Sequence, residues 1–211
     1  VGYLIGIFLR KKISVLNPLL VSIIFVIAVI KIFHIDYETY NSGAKYISYL
    51  LTPATVCLAI PLYRQISVLK EHAKEVFIGI LAGVLASMGS ILLMSYLFGL
   101  THEQYVTLLP KSITTAIGMG VSEELGGIQT ITVAVIIITG VLGNIIAEAV
   151  LKIFRIKEPV AKGLAIGTAS HAIGTTKALE IGEIEGAMSS LSVAVAGLMT
   201  VISASIFANM M

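Results

Sequence analysis

An all-α integral membrane protein is the fold class this sequence predicts, and three observations predict it. Hydrophobic residues make up 57% of the 211, charged residues only 12%, and the mean hydropathy is +0.98. A soluble domain carries roughly 25% charged residues, about twice as many. Uncharged runs recur at Ile13–Ile30, Tyr46–Tyr63, Val76–Leu100, Ile128–Ala147 and Ala187–Met211. Each is near or above the ~18 residues that cross the hydrocarbon layer as a helix. None shows the two-residue alternation of an outer-membrane barrel.

These runs place about six transmembrane helices at 1–10, 17–33, 44–63, 76–99, 128–153 and 184–209, in a single transmembrane domain spanning 1–211. The first is short: nine uncharged residues precede Arg10-Lys11-Lys12. It reads as the back half of a helix truncated at its N-terminus, too short for a complete signal peptide. Asn17-Pro18 opens the second helix, with Asn as cap and proline at the first position. Thr52-Pro53 falls inside the third, where proline frees a carbonyl and kinks the helix. Cys57 is the one cysteine, so a disulfide framework within the chain and a cysteine metal site are both excluded. The net charge of +2 is too small to suggest nucleic acid.

Basic residues assign the sides. The loops at 10–12, 64–75 and 152–162 hold ten of the fourteen lysines and arginines, and the opposite loops hold Lys31, Lys45 and Lys111. The positive-inside rule makes the first set cytoplasmic and puts the C-terminus outside. For both assignments to hold, Lys111–Gly127 must dip in from outside and return. Gly163–Gly182 must likewise dip in from the cytoplasm.

The two dips share a pattern. One reads Ser112-Ile-Thr-Thr-Ala-Ile-Gly, with Glu123 eleven residues after its serine; the other reads Ser170-His-Ala-Ile-Gly-Thr-Thr, with Glu180 ten residues after. Related segments entering from opposite faces make an inverted repeat, an arrangement that holds substrate near the midplane between discontinuous helices. Irregular backbone at that depth must be buried in protein or line a wet cavity. Ser112, Thr114, Thr115, Ser170, Thr175 and Thr176, with nearby helix-start amides, are therefore the candidate cradle for a small anion. The competing explanation is small residues for tight helix packing.

His171 is an ionisable group inside the second dip, a position that usually marks function. It could carry a proton or pair with a carboxylate. Lys177 could supply positive charge to a substrate or pair with Glu180. Asn17 and Thr52 are secondary candidates. Catalysis is not expected: Ser170 and His171 are neighbours, and the second half contains no Asp to orient a base. The sequence has no nucleophile elbow, zincin motif or phosphate loop, and suggests no cofactor or metal site.

At these residues the chain resembles the LrgB/CidB family of bacterial membrane proteins. The resemblance rests on Leu16-Asn-Pro-Leu-Leu-Val21, Pro53 through Ala59-Ile-Pro-Leu-Tyr63, Leu109-Pro-Lys-Ser-Ile-Thr-Thr115 and Gly126-Gly-Ile128. Above all it rests on Gly163-Leu-Ala-Ile-Gly-Thr-Ala-Ser-His-Ala-Ile-Gly-Thr175 followed by Glu185-Gly-Ala187. Ala116 departs from the proline that is common there in the family, which predicts a less sharply broken first dip. The resemblance implies two roles. One is antiholin-like control of murein hydrolase export and lysis, beside a small holin-like partner of the LrgA/CidA kind. The other is carriage of small monocarboxylates, as in related proteins linked to pyruvate uptake and to plastid glycolate/glycerate exchange. The expectation is a secondary carrier for such carboxylates in the bacterial cytoplasmic (inner) membrane, proton-coupled through His171 and working as a homo-oligomer. The alternative is an antiholin-like regulator of the holin-like partner.

Overall fold

A computed structural model describes residues 1–12, 18–50, 53, 57 and 59–211. Its regular elements are all helices among the described residues, and their contacts cluster in two compact units, Val1–Cys57 and Leu58–Met211.

In the first unit, α1 (Gly2–Lys12) packs on α2 (Pro18–Ile32) as an antiparallel pair. A methyl group at Gly6 would sit 2.5 Å from the Pro18 carbonyl oxygen, and one at Gly2 would lie 3.1 Å from Ser22 Oγ. Asp36 then caps α3 (Tyr37–Ser48), accepting from the Thr39 amide at 3.0 Å and also from the Thr39 hydroxyl. The hydroxyl bond, followed by the amide bond, holds the Asp36 carboxyl below the usual carboxylate range. This corrects the start of the expected helix over 44–63, of which residues 51, 52, 54–56 and 58 lie outside the described ones. The helix starts seven residues earlier, at the Asp36 cap, and closes in a turn at Tyr49–Leu50 ahead of Pro53. Helices usually end at or before the residue preceding a proline.

In the second unit, α4 (Ala59–Arg64) and α5 (Ile66–Glu71) are short, so most of the expected loop at 64–75 is helical. Among the described residues, three helices are long and apolar enough to cross a membrane: α6 (Ala73–Phe98), α9 (Gln129–Ile153) and α11 (Glu183–Ala208). They match the predicted spans to within three residues at each end. The core runs along α6 at Val76, Ile80, Val84 and Met88, a four-residue ridge packed with Leu164, Met188 and Ala196. Gly99, at φ 63°, ends α6 in the left-handed conformation that glycine adopts without a Cβ penalty.

Between these long helices the chain makes two hairpins. The first comprises α7 (His102–Leu108), an irregular arm over 109–114 and α8 (Thr115–Glu124). Its base is tied by hydroxyls: Thr107 Oγ1 accepts from the Ile128 amide at 2.8 Å, and Thr132 Oγ1 lies 2.9 Å from the Thr107 carbonyl and 2.7 Å from Ser122 Oγ. Gly118 and Ser122 meet Ile136 and Thr132, so α8 and α9 run antiparallel. The arm carries Ser112 down to Ser87, midway along α6.

The second hairpin is α10 (Pro159–Ile181), broken at His171, whose φ of 42° and ψ of −145° are non-helical. The arms fold back on each other: a methyl group at Gly174 would lie 3.2 Å from the Ile166 carbonyl oxygen, eight residues earlier. A straight helix would separate those residues by about 12 Å. The first arm packs along α11, where a methyl at Gly163 would lie 2.5 Å from the Glu185 carbonyl and one at Gly167 2.5 Å from that of Ser189. The second returns beside α9, with Asn144 at Ile173 and Glu148 at Lys177. The two hairpins thus enter the unit from opposite ends of α9, the first at Ile128 and the second at Arg155.

Candidate functional site

Three polar groups meet where the first tip touches α6. Lys111 Nζ donates to Ser112 Oγ at 2.9 Å and to Ser87 Oγ at 3.3 Å, and the two serine hydroxyls are 3.0 Å apart. They adjoin a cavity of about 10 Å³ whose polar lining is Ser87, Ser112, Thr168 and Thr200. That volume suits one water molecule with several hydroxyl partners. Ser112 comes from the first hairpin and Thr168 from the second, so the cavity is where the two hairpins meet. Thr168 also lies at the inner end of a cleft of about 460 Å³ between α6 and α10. That cleft runs past Gly79 and Gly83 to His72, Glu75 and Glu158 at the surface. The Thr168 side chain therefore stands between the cleft and the junction cavity.

On the other side of the tip, His171 is buried at 2% exposure, and its Nε2 lies 2.9 Å from the Ile136 carbonyl oxygen. A carbonyl only accepts, so Nε2 carries the hydrogen. Thr175, also buried, donates to the His171 carbonyl at 3.1 Å and shares a hydrogen bond with Ser189 Oγ at 2.9 Å. Those bonds take up a carbonyl next to the break and fasten the returning arm to α11. Ser170 is buried with its hydroxyl against Gly143 of α9, where a side chain on residue 143 would not fit.

The candidates from sequence are thus distributed. Of the seven primary residues, Ser112 alone lines the junction cavity. Thr114 sits in extended backbone (φ −65°, ψ 148°) at the start of α8 and makes no capping bond with its side chain; Thr115 is the first residue of α8 and half-buried. Ser170, His171 and Thr175 are enclosed by α9 and α11. Thr176 is exposed, accepting from Asn144 Nδ2 at 3.0 Å. Lys177 pairs with Glu148 at 2.5 Å and Glu180 at 3.2 Å. Asn17 and Thr52 lie outside the described residues.

Sequence reasoning did not single out Ser87, Lys111, Asn144 or Thr168 as site residues. Asn144 carried a signal, since an amide in the middle of an apolar run needs a partner. Lys111 counts with the loops when the basic residues assign the sides, and only the fold turns it toward Ser87.

The LrgB-like family matches residues 1–210. Among curated relatives, the "Antiholin-like protein LrgB" of Bacillus mycoides is 38% identical over 192 residues, covering 91% of this chain and 84% of the relative. Proteins of the same description from Bacillus cereus and Bacillus anthracis give the same values, 38% identity with 91% and 84% coverage. No solved structure matches the chain. With nearly its whole length matched, the chain belongs to the LrgB-like family.

Proposed function

We propose that this chain is a multi-pass protein of the bacterial cytoplasmic membrane with an antiholin-like role. It would restrain a small holin-like membrane partner and, through it, murein hydrolase activity and lysis. The relationship to proteins described as antiholin-like, at 38% identity over 91% of the chain, carries this reading. In it the loops at 10–12, 64–75 and 152–162 face the cytoplasm and the C-terminus lies outside, in accord with their basic residues.

One geometric observation favours a second reading, a secondary carrier for small monocarboxylates such as pyruvate, glycolate or glycerate. Two hairpins that enter from opposite ends of α9 bring Ser112 and Thr168 to one hydroxyl-lined cavity. In this reading both hairpins are re-entrant segments, and Ser112, Thr114, Thr115, Ser170, His171, Thr175 and Thr176 serve the substrate as the hairpins part. At about 10 Å³ the cavity has space for no more than one water-sized group, so a three-carbon acid needs that movement to enter.

The readings separate in two assays on one preparation. Uptake of labelled pyruvate into liposomes holding only this protein, saturable and reduced by Ser112→Ala, supports the carrier. Absence of uptake, together with suppression of dye leakage when the protein is added to liposomes containing the holin-like partner, supports the antiholin-like role alone.

A further inference from the structure

We infer that Lys111 is the counter-charge for a small carboxylate bound at the junction of the two hairpins. This rests on the carrier reading and adds to it the cation that the hydroxyl cradle lacks. Lys111 points inward from the first tip, and two of its three ammonium hydrogens go to Ser87 and Ser112. No acidic side chain pairs with it among the described residues, whereas Lys162 and Lys177 both have carboxylate partners. A cation held against neutral hydroxyls, part-way through a helical membrane protein, is costly and marks a functional site. Its third hydrogen is available to an anion, and Ser87 and Ser112 are placed to donate to the same carboxylate once they release each other. Ser112 is shared with the cavity that Thr168 closes, so the anion would sit where movement of one hairpin against the other gates it. The chemical class selected is a monocarboxylate with no second negative charge, since a single ammonium faces the site. The basic residues at the Arg155 end of α9 are not part of this cluster; they line a separate pocket.

The test is pyruvate binding to purified protein in nanodiscs, read as the shift in thermal unfolding temperature over a pyruvate titration, for wild type, Lys111→Met and Lys111→Arg. The inference predicts that wild type is stabilised by pyruvate and not by its uncharged methyl ester. Lys111→Met should bind at least tenfold more weakly, and Lys111→Arg should recover most of the loss. Lys111→Met should also unfold at a higher temperature than wild type without ligand, because an unpaired inward charge has been removed. A Lys111→Met protein that binds pyruvate within twofold of wild type overturns the inference, as does a wild type that shows no pyruvate-dependent shift. The carrier reading fails separately, if wild type binds pyruvate in nanodiscs yet liposomes show no uptake.

Discussion

The two hairpins share a sequence pattern but are built by different means. The first has one helical arm and one irregular arm, and its base is laced by the hydroxyls of Thr107, Ser122 and Thr132. The second has two helical arms and is held by close backbone approach, at Gly163 and Gly167 against α11 and at Gly143 against Ser170. The paired threonines also differ in place. Thr114 and Thr115 stand at the start of α8, whereas Thr175 and Thr176 lie inside the returning arm, four and five residues past the break. Similar letters therefore do not mark equivalent positions. What the hairpins have in common is the level their tips reach, near the middle of the long helices. The first is buried at its irregular arm and tied by hydroxyls, while the exposed face of α8 is open at Gly120; the second is a packed wedge.

The comparison breaks most visibly if the wedge is pried open. Gly167→Val should lower stability by about 3 kcal/mol or more, because the added carbons meet the Ser189 carbonyl oxygen and Ser192 Cβ rather than a flexible side chain. Thermal unfolding in detergent measures it. At the first hairpin the corresponding weak point is the hydroxyl lacing: Thr132→Val should cost about 1–2 kcal/mol by leaving the Ser122 hydroxyl and Thr107 carbonyl short of a partner. At the break itself, His171→Gly should be more stable than His171→Ala by about 1 kcal/mol. Both lose the bond to Ile136, but glycine relieves the positive φ. The smallest effect has the opposite sign. Nothing lies within 4 Å of a methyl group at Gly120 on α8, so Gly120→Ala should stabilise by about 0.5–1 kcal/mol. If Gly120→Ala were as damaging as Gly167→Val, the contrast between the open face of α8 and the packed second hairpin would be lost.

Much of this was legible from hydrophobicity, because a long apolar run has few ways to satisfy its backbone except as a helix. That is why α6, α9 and α11 fall where the runs predict. The run Tyr46–Tyr63 misled at its start, because its lack of charge concealed a boundary. Asp36 followed by Thr39 is a capping signal that starts α3 at Tyr37, and Pro53 lies beyond its closing turn. At the site, His171 stood out as a single ionisable residue in an apolar stretch. The reason it occupies the break, a ring nitrogen donating to the Ile136 carbonyl 35 residues away, is a tertiary contact that no local pattern carries. Ser87 and Thr168 were hidden for a similar reason. A lone hydroxyl on a helix can satisfy itself on the preceding turn, as Thr168 does with the Leu164 carbonyl, and only the meeting of three elements makes it part of a junction.

The central claim is that the tips of the two hairpins meet beside Ser112 and Thr168. Cross-linking in native membranes tests it most directly, with Ser112→Cys and Thr168→Cys combined on a Cys57→Ser background. A short bifunctional thiol reagent should join the pair within one chain, seen as a mobility shift and as protection of both cysteines from a second label. Either single variant should show no such product. Two cysteines that each react with the reagent yet never link would contradict the account, because the hairpins would then not share a cavity.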